Sequence, residues 1–196
     1  MSVLPFLKKV LEPSRIIRSP VVFSEGSSRN TCDDTYLSDS EDCIAVRIHS
    51  SDHLKLLRGS PGHSDGYCNL PDFIIFREER EIVRGNESML VKVLLAEMKS
   101  SDVSLEIATR QLQLGAILVP YLLSAMKLDF AFTPTIEIRQ CALLISPDLP
   151  GPKGRTRRSK TQYEYETLTR IGIPRYDIPC GADVSFDEFE YWRPDL

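Results

Sequence analysis

Residues 71–99 read PDFIIFREEREIVRGNESMLVKVLLAEMK and carry the clearest secondary-structure pattern in the chain. This stretch begins with a compact β-prone run, DFIIF, and ends with a longer apolar run, MLVKVLLAEM, at residues 89–98. The near-continuous apolar character of the second run is typical of a strand in the middle of a sheet. The charged residues between the two runs include the turn signal Gly85-Asn86. Together the two runs predict a β-hairpin.

The residues on both sides of the hairpin extend the predicted sheet. Residues 44–48 alternate in polarity as a short strand does, and residues 135–146 (TIEIRQCALLIS) read as another strand. Between the hairpin and this last strand, a helix is predicted from Asp102 or Ser104 to about Lys127, because Ser104 can cap it and apolar residues recur there at helical spacing. The order strand, strand, strand, helix, strand predicts an α/β (α+β) fold with a central mixed β-sheet flanked by helices.

The rest of the chain shows weaker patterns. A second helix is predicted over residues 161–171, and the proline-rich and aromatic residues 173–196 predict a packed, irregular end. The length favours a single domain. The predicted divisions are an N-terminal extension at residues 1–19, the domain at residues 20–175, and a C-terminal tail packed on it at residues 176–196.

Composition narrows the class of protein. The chain has 196 residues, 42% of them hydrophobic, and a formal net charge of −4. This charge removes the simplest argument for nucleic-acid binding, so such a function must come from a local site. No apolar run reaches the roughly 18 residues of a membrane helix, and the start does not read as a signal peptide. We therefore expect an intracellular protein, cytoplasmic or nuclear, without a membrane partner.

The cysteines are odd in number and irregular in spacing. Because no CxxC pair is present, neither a zinc site nor a disulfide framework is indicated, and we predict that the thiols are reduced and structural. No GxSxG motif points to a serine nucleophile either. The cysteines are Cys32, Cys43, Cys68, Cys141 and Cys180.

Three charged residues at one end of the hairpin form the candidate site. Asp72 stands at the start of the first strand, and Glu97 and Lys99 stand at the end of the second. Residues two apart on a strand share a face, and antiparallel pairing can bring Asp72 beside them. Two neighbouring carboxylates repel each other unless a cation lies between them, and oxygen ligands suit Mg²⁺ or Mn²⁺. Such an ion polarises a phosphate and activates water, so the pattern predicts phosphodiester hydrolysis.

The motif order resembles a known group of nucleases. Pro71-Asp72, then Glu97-x-Lys99, then a helix with QLQLG at residues 111–115 is similar to the PD-(D/E)xK nuclease superfamily, and specifically to the nuclease-like proteins widespread in filamentous fungi. The resemblance implies a restriction-endonuclease-like core and a Mg²⁺- or Mn²⁺-dependent nuclease acting on DNA or RNA. Its specific part covers residues 70–125.

The resemblance also implies roles for single residues. Asp72, Glu97 and Met98 would hold the metal, and Lys99 would orient water or stabilise charge on phosphorus. Gln113 would position the backbone or water, with Gln111 as the competing candidate. Glu25, within PVVFSEGSSRN at residues 20–30, would be an additional acid at the metal site or the attacking water.

Other interpretations of the same residues stay open. The chain could be a catalytically weakened nuclease-fold protein that acts as a nucleic-acid-binding or regulatory module. It could also be an α/β scaffold in which the residues of the two motifs are incidental charges at strand ends. Upstream histidines could belong to a manganese-favouring site, and a basic cluster could contact phosphates or act as a nuclear-localisation patch. These residues are His49, His53 and His63, and Lys153, Arg155, Arg157, Arg158 and Lys160.

Overall fold

The structure of the protein is a computed structural model. The residues that it describes are 2–11, 13–17, 19–24, 32–48, 70–83, 86–99, 105–130, 135–147, 165–168 and 170–195. This part of the chain contains two α-helices and ten strands. No helix within these ranges is long and apolar enough to cross a membrane.

The helices and strands follow the predicted order through the middle of the chain. The helices are α1 (Leu4–Val10) and α2 (Leu105–Phe130). The strands are β1 (Ile16–Ile17), β2 (Val21–Phe23), β3 (Thr35–Ser38), β4 (Cys43–Arg47), β5 (Phe73–Val83), β6 (Asn86–Met98), β7 (Ile136–Ser146), β8 (Tyr165–Thr167), β9 (Pro174–Pro179) and β10 (Asp183–Ser185). The predicted hairpin is β5–β6, and the predicted helix and the strand after it are α2 and β7.

The main sheet has seven strands in the order β1-β4-β5-β6-β7-β9-β8. From β1 through β4 and β5 to β6, each strand is antiparallel to the next. From β6 through β7 to β9, each strand is parallel to the next. The prediction of a mixed sheet is therefore confirmed. Strand β6 lies at the centre, and its run from Val93 to Ala96 is fully buried because both faces of the sheet are covered.

Helix α2 covers one face of the sheet. Parallel strands need a long crossover between them, and α2 provides it between β6 and β7. Its buried side chains Leu112, Ala116, Val119 and Leu123 pack into the same core cluster as Leu95 of β6. The short helix α1 contributes to this cluster as well. The helical spacing of apolar residues in α2 thus reflects the burial of these side chains against the sheet.

A proline lies inside α2 and is compensated by the sheet below. Pro120 has no N–H, so the carbonyl of Ala116 loses its usual helical donor. The fully buried side chain of Gln140 on β7 donates to that carbonyl through Nε2 at 3.1 Å. The helix therefore continues across the proline to Phe130.

The opposite face of the main sheet is covered by a second, three-stranded sheet in the order β10-β3-β2. Its core includes Phe23, which meets Phe73 edge-on with ring centroids 5.2 Å apart. The end of the chain contributes Phe186 and Tyr191, whose rings stack 5.0 Å apart. Both faces of the central strands are thus closed by packed layers.

The structure corrects the prediction for two cysteines. Cys32 and Cys180 form a disulfide with their Cα atoms 5.3 Å apart, although 148 residues separate them in the chain. The sequence could not indicate this pair, because the pairing depends on the start of β3 meeting the end of β9. Cys43 and Cys141 are free thiols, and burial raises the pKa of Cys43 to about 11. Cys68 lies outside the described residues.

Two further predictions about the end of the chain were wrong in whole or in part. The described part of residues 161–171 contains the edge strand β8 instead of a helix, because its residues pair antiparallel with β9. The end of the chain is packed, as predicted, with Phe186, Phe189 and Tyr191 buried, but it is not wholly irregular, since residues 173–195 include β9 of the main sheet and β10 of the second sheet. The predicted boundary at residue 175 falls inside β9, and the division into extension, domain and tail stays a prediction.

Candidate functional site

The hairpin brings Asp72 and Glu97 together. The pairing of Phe73 with Ala96 places Asp72, the residue before β5, opposite Glu97. The main-chain N–H of Asp72 donates to Glu97 Oε2 at 3.0 Å, and the N–H of Met98 donates to Asp72 Oδ2 at 3.0 Å. Each carboxylate therefore accepts a hydrogen bond from the other's strand end, which holds both side chains in place.

Lys99 completes this group of charges, as its spacing from Glu97 predicts. Its ammonium pairs with Glu97 Oε1, and its side chain is 17% exposed. The main-chain N–H of Lys99 donates to the carbonyl of Ile145 at 2.9 Å, so β7 anchors it. On the other side, the N–H of Ile48 donates to the carbonyl of Asp72 at 2.8 Å. Neighbouring strands thus fix the main chain of the site on both flanks.

Glu97 is fully buried, which is unusual for a carboxylate. Its pKa is raised to about 8, mainly by burial and also by the nearby charge of Asp72, while Lys99 opposes both effects. The Asp72–Glu97 pair therefore carries an electrostatic penalty that a bound cation would relieve.

Helix α2 passes directly over Pro71 at Gly115. A Cβ built on Gly115 would lie 2.6 Å from Pro71 Cγ and 3.3 Å from Leu95 Cδ2. Only glycine allows the helix backbone to approach this closely. One turn earlier, Gln111 donates through Nε2 to the carbonyl of Leu70 at 3.3 Å. The QLQLG segment therefore packs against the strand end that carries Asp72.

Of the two glutamines, Gln111 contacts the strand end that carries Asp72, through the carbonyl of Leu70. Its Oε1 is buried and has no hydrogen-bond partner among the described residues. Gln113 lies two residues further, about 200° around the helix, and is partly exposed. Gln111 is therefore placed beside the strand end, and the role predicted for Gln113 stays a prediction.

Several other candidates lie outside the described residues. These include Glu25, His49, His53, His63 and the basic cluster at residues 153–160. Their roles stay predictions. Met98 is described, and its side chain is buried in the core on the opposite face of the sheet. Because its N–H is donated to Asp72, Met98 could serve a metal only through its carbonyl.

The two carboxylates fit part of a Mg²⁺ or Mn²⁺ site. Within the described ranges, no group of three or more His, Cys, Asp or Glu side chains is arranged to hold a metal. Mg²⁺, however, is commonly held by one or two carboxylates together with water and substrate phosphate. The buried Glu97 and the partly buried Asp72, whose charges repel each other, suit that kind of site.

The close contact at Gly115 leads to a test of stability. In an open helix, Gly→Ala stabilises by about 1 kcal/mol. We expect Gly115→Ala to lower the free energy of unfolding by about 1–3 kcal/mol instead, because the new Cβ collides with Pro71. Urea titration measures this change in the free energy of unfolding.

The control is the same substitution in the Pro71→Ala background, where the colliding ring atoms are absent. There the loss of stability caused by Gly115→Ala should shrink by at least half. Stabilisation by Gly115→Ala in the wild-type background contradicts the packing argument.

The site thus consists of Asp72, Glu97 and Lys99 at the end of a buried hairpin, with Gln111 and Gly115 of α2 packed above it. Comparisons of the chain with protein-family models, with curated proteins and with solved structures find no match.

Proposed function

We propose that this protein is a metal-dependent nuclease that hydrolyses phosphodiester bonds of DNA or RNA. The observation that carries the proposal is the meeting of Asp72, Glu97 and Lys99 at one end of the β5–β6 hairpin. Two carboxylates and an ammonium group at one spot are the groups that phosphoryl chemistry uses.

The arrangement of secondary structure also supports the proposal. Three antiparallel strands, β4 to β6, precede the crossover helix α2, and β7 returns parallel to β6. The resemblance to PD-(D/E)xK nucleases implies a restriction-endonuclease-like core with this order of strands and helix. The candidate residues stand at the strand ends where that resemblance requires them.

Each residue has a role that follows from its position. Asp72 and Glu97 would hold Mg²⁺ or Mn²⁺, with the carbonyl of Met98 as a further possible ligand. The bound ion supplies a polarised phosphate and an acidified water. Lys99 can stabilise negative charge on the phosphate or orient the water. Gln111, anchored on the carbonyl of Leu70, presents its amide oxygen as an acceptor for that water.

The test is cleavage of labelled single- and double-stranded DNA and RNA with Mn²⁺, Mg²⁺ or EDTA. We expect metal-dependent cleavage that Glu97→Gln lowers about 1000-fold or more, since loss of a metal ligand removes several kcal/mol of transition-state stabilisation. The matched control is Glu79→Gln, because Glu79 pairs with Lys92 on the neighbouring strand, away from Asp72. A folded wild-type protein that cleaves none of the four substrates with either metal refutes the proposal.

One observation favours a second candidate function, that of a nuclease-fold protein that acts as a nucleic-acid-binding or regulatory module and does not cleave. Asp72 Oδ2 and Glu97 Oε2 accept main-chain hydrogen bonds, and Lys99 occupies Glu97 Oε1. In this arrangement the charged residues clamp the strand ends to each other. Binding of labelled nucleic acid without cleavage, unchanged in Glu97→Gln, would identify this second function.

A further inference from the structure

A buried arginine on β9 connects three elements near the candidate site. Arg175 is only 6% exposed, yet its guanidinium has partners on all sides. Its Nε donates to Asp177 Oδ1 at 2.9 Å, and its Nη2 donates to Asp177 Oδ2 at 3.3 Å and to Glu166 Oε2 at 2.8 Å. Its Nη1 donates to Thr109 Oγ1 on α2 at 3.2 Å. Arg175 therefore ties β8, β9 and α2 together.

Sheet register places this network on the same face as Glu97. Leu95 pairs with Ala142, which pairs with Arg175, so these three residues form one row across β6, β7 and β9. Paired residues on neighbouring strands point to the same side of a sheet. Leu95 and Ala142 both pack beneath α2. Arg175 thus lies beneath the same helix, two strands away from the site.

The amino-terminal part of α2 is consequently held from two directions. Toward β5 and β6, Gly115 contacts Pro71 and Leu95, and Gln111 binds the carbonyl of Leu70. Toward β9, Thr109 binds Arg175. Thr109 and Gly115 are six residues apart, about 9 Å along the helix axis. Two anchors at this distance fix both the position and the rotation of the helix above Asp72.

The chemistry of the anchor indicates more than stability. Burial of a guanidinium is costly, and well-packed apolar side chains commonly stabilise such a position equally well. Directional hydrogen bonds add a defined orientation, which apolar packing does not supply. We propose that Arg175 is a positioning residue of the site, which acts through Thr109 to keep Gln111 and Gly115 aligned with Asp72. Its catalytic consequence rests on the proposed nuclease function.

The kinetic test compares Arg175→Met with wild type. We expect kcat for cleavage to fall about 10- to 100-fold, because small displacements of positioned groups are costly, while KM and the Mn²⁺ concentration for half-maximal rate change less than about threefold. Arg175→Lys, which keeps the charge but not the planar fork, should recover part of kcat. The control is Arg139→Met, since Arg139 pairs with Glu137 of its own strand. Equal kcat in Arg175→Met and wild type overturns the proposal.

A second measurement does not depend on activity. Hydrogen exchange of the amides of residues 109–116 and of Asp72 should accelerate at least about tenfold in Arg175→Met but not in Arg139→Met, if the anchor restrains α2 locally. Should Arg175→Met fail to fold, Thr109→Val removes the helix contact alone and should accelerate the same amides. Unchanged exchange there overturns the positioning role. A wild-type protein without cleavage refutes the nuclease proposal, whereas hydrogen exchange still decides the role of Arg175.

Discussion

At pH 9 and without divalent cations, Glu97→Gln should unfold with a free energy several kcal/mol higher than wild type. The pKa of Glu97 is raised from 4.5 to about 8, first by burial and then by Asp72, against the opposing Lys99. Between pH 4.5 and about pH 8, Glu97 of the folded protein keeps a proton that the unfolded chain releases. The stability from this proton is complete below pH 4.5 and is lost as the pH rises through about 8, at roughly 1.4 kcal/mol per pH unit. Glutamine is neutral throughout.

Urea titrations of both proteins at pH 5, 7 and 9 measure this effect. The stability curve of wild type should fall relative to that of Glu97→Gln, and the Glu79→Gln control should follow wild type. Added Mn²⁺ at pH 8 should stabilise wild type but not Glu97→Gln, because only the wild-type site presents two carboxylates to the cation. Parallel curves for wild type and Glu97→Gln across this pH range would show that Glu97 is not a buried, destabilised carboxylate.

Replacing Lys99 by Met should lower the rate of cleavage by about 100-fold or more at saturating Mn²⁺, because a donor to the developing phosphate charge is lost. Mn²⁺ should still bind, since Asp72 and Glu97 remain. Single-turnover cleavage and Mn²⁺ titration by calorimetry separate the two effects. Because Lys99 opposes the increase in the pKa of Glu97, its removal should raise that pKa further.

The matched control for Lys99 lies on the same strand. Lys92 of β6 pairs with Glu79 at 2.8 Å and has a similar exposure, but it belongs to the opposite face of the sheet. Lys92→Met should therefore leave the rate of cleavage within about threefold of wild type, as expected for a lysine remote from the reaction. Equal losses in the two variants would assign the effect to general weakening of β6 rather than to chemistry.

The hairpin and its site were predictable because their signals are local. Period-two and apolar patterns over residues 71–99 identified both strands, and the Glu97-x-Lys99 spacing placed two side chains on one face. The helix after them followed from its apolar periodicity. Each strand and the helix depends on residues within about ten positions of one another, and antiparallel pairing of the two strands then brings Asp72 to Glu97, 25 positions away.

The glutamine at the site shows the limit of such patterns. QLQLG contains two candidates, and the motif alone favoured Gln113. In the structure Gln111 lies beside the strand end, because Gly115 faces Pro71 and Gln111 lies one turn before it on the same side, while a role for Gln113 stays a prediction. A repeating sequence cannot indicate which residue faces the sheet when both candidates are polar.

Local patterns predict the central hairpin, the crossover helix and the position of Glu97 and Lys99 on one face of a strand, and the hairpin turn then brings Asp72 beside them. Tertiary structure alone decided the Cys32–Cys180 disulfide, the pairing of β8 with β9, and the link from Arg175 to Thr109. These contacts join residues that are 148, 9 and 66 positions apart or lie in weakly patterned segments. Their formation depends on which strand ends the packed sheet brings together, which no local pattern encodes.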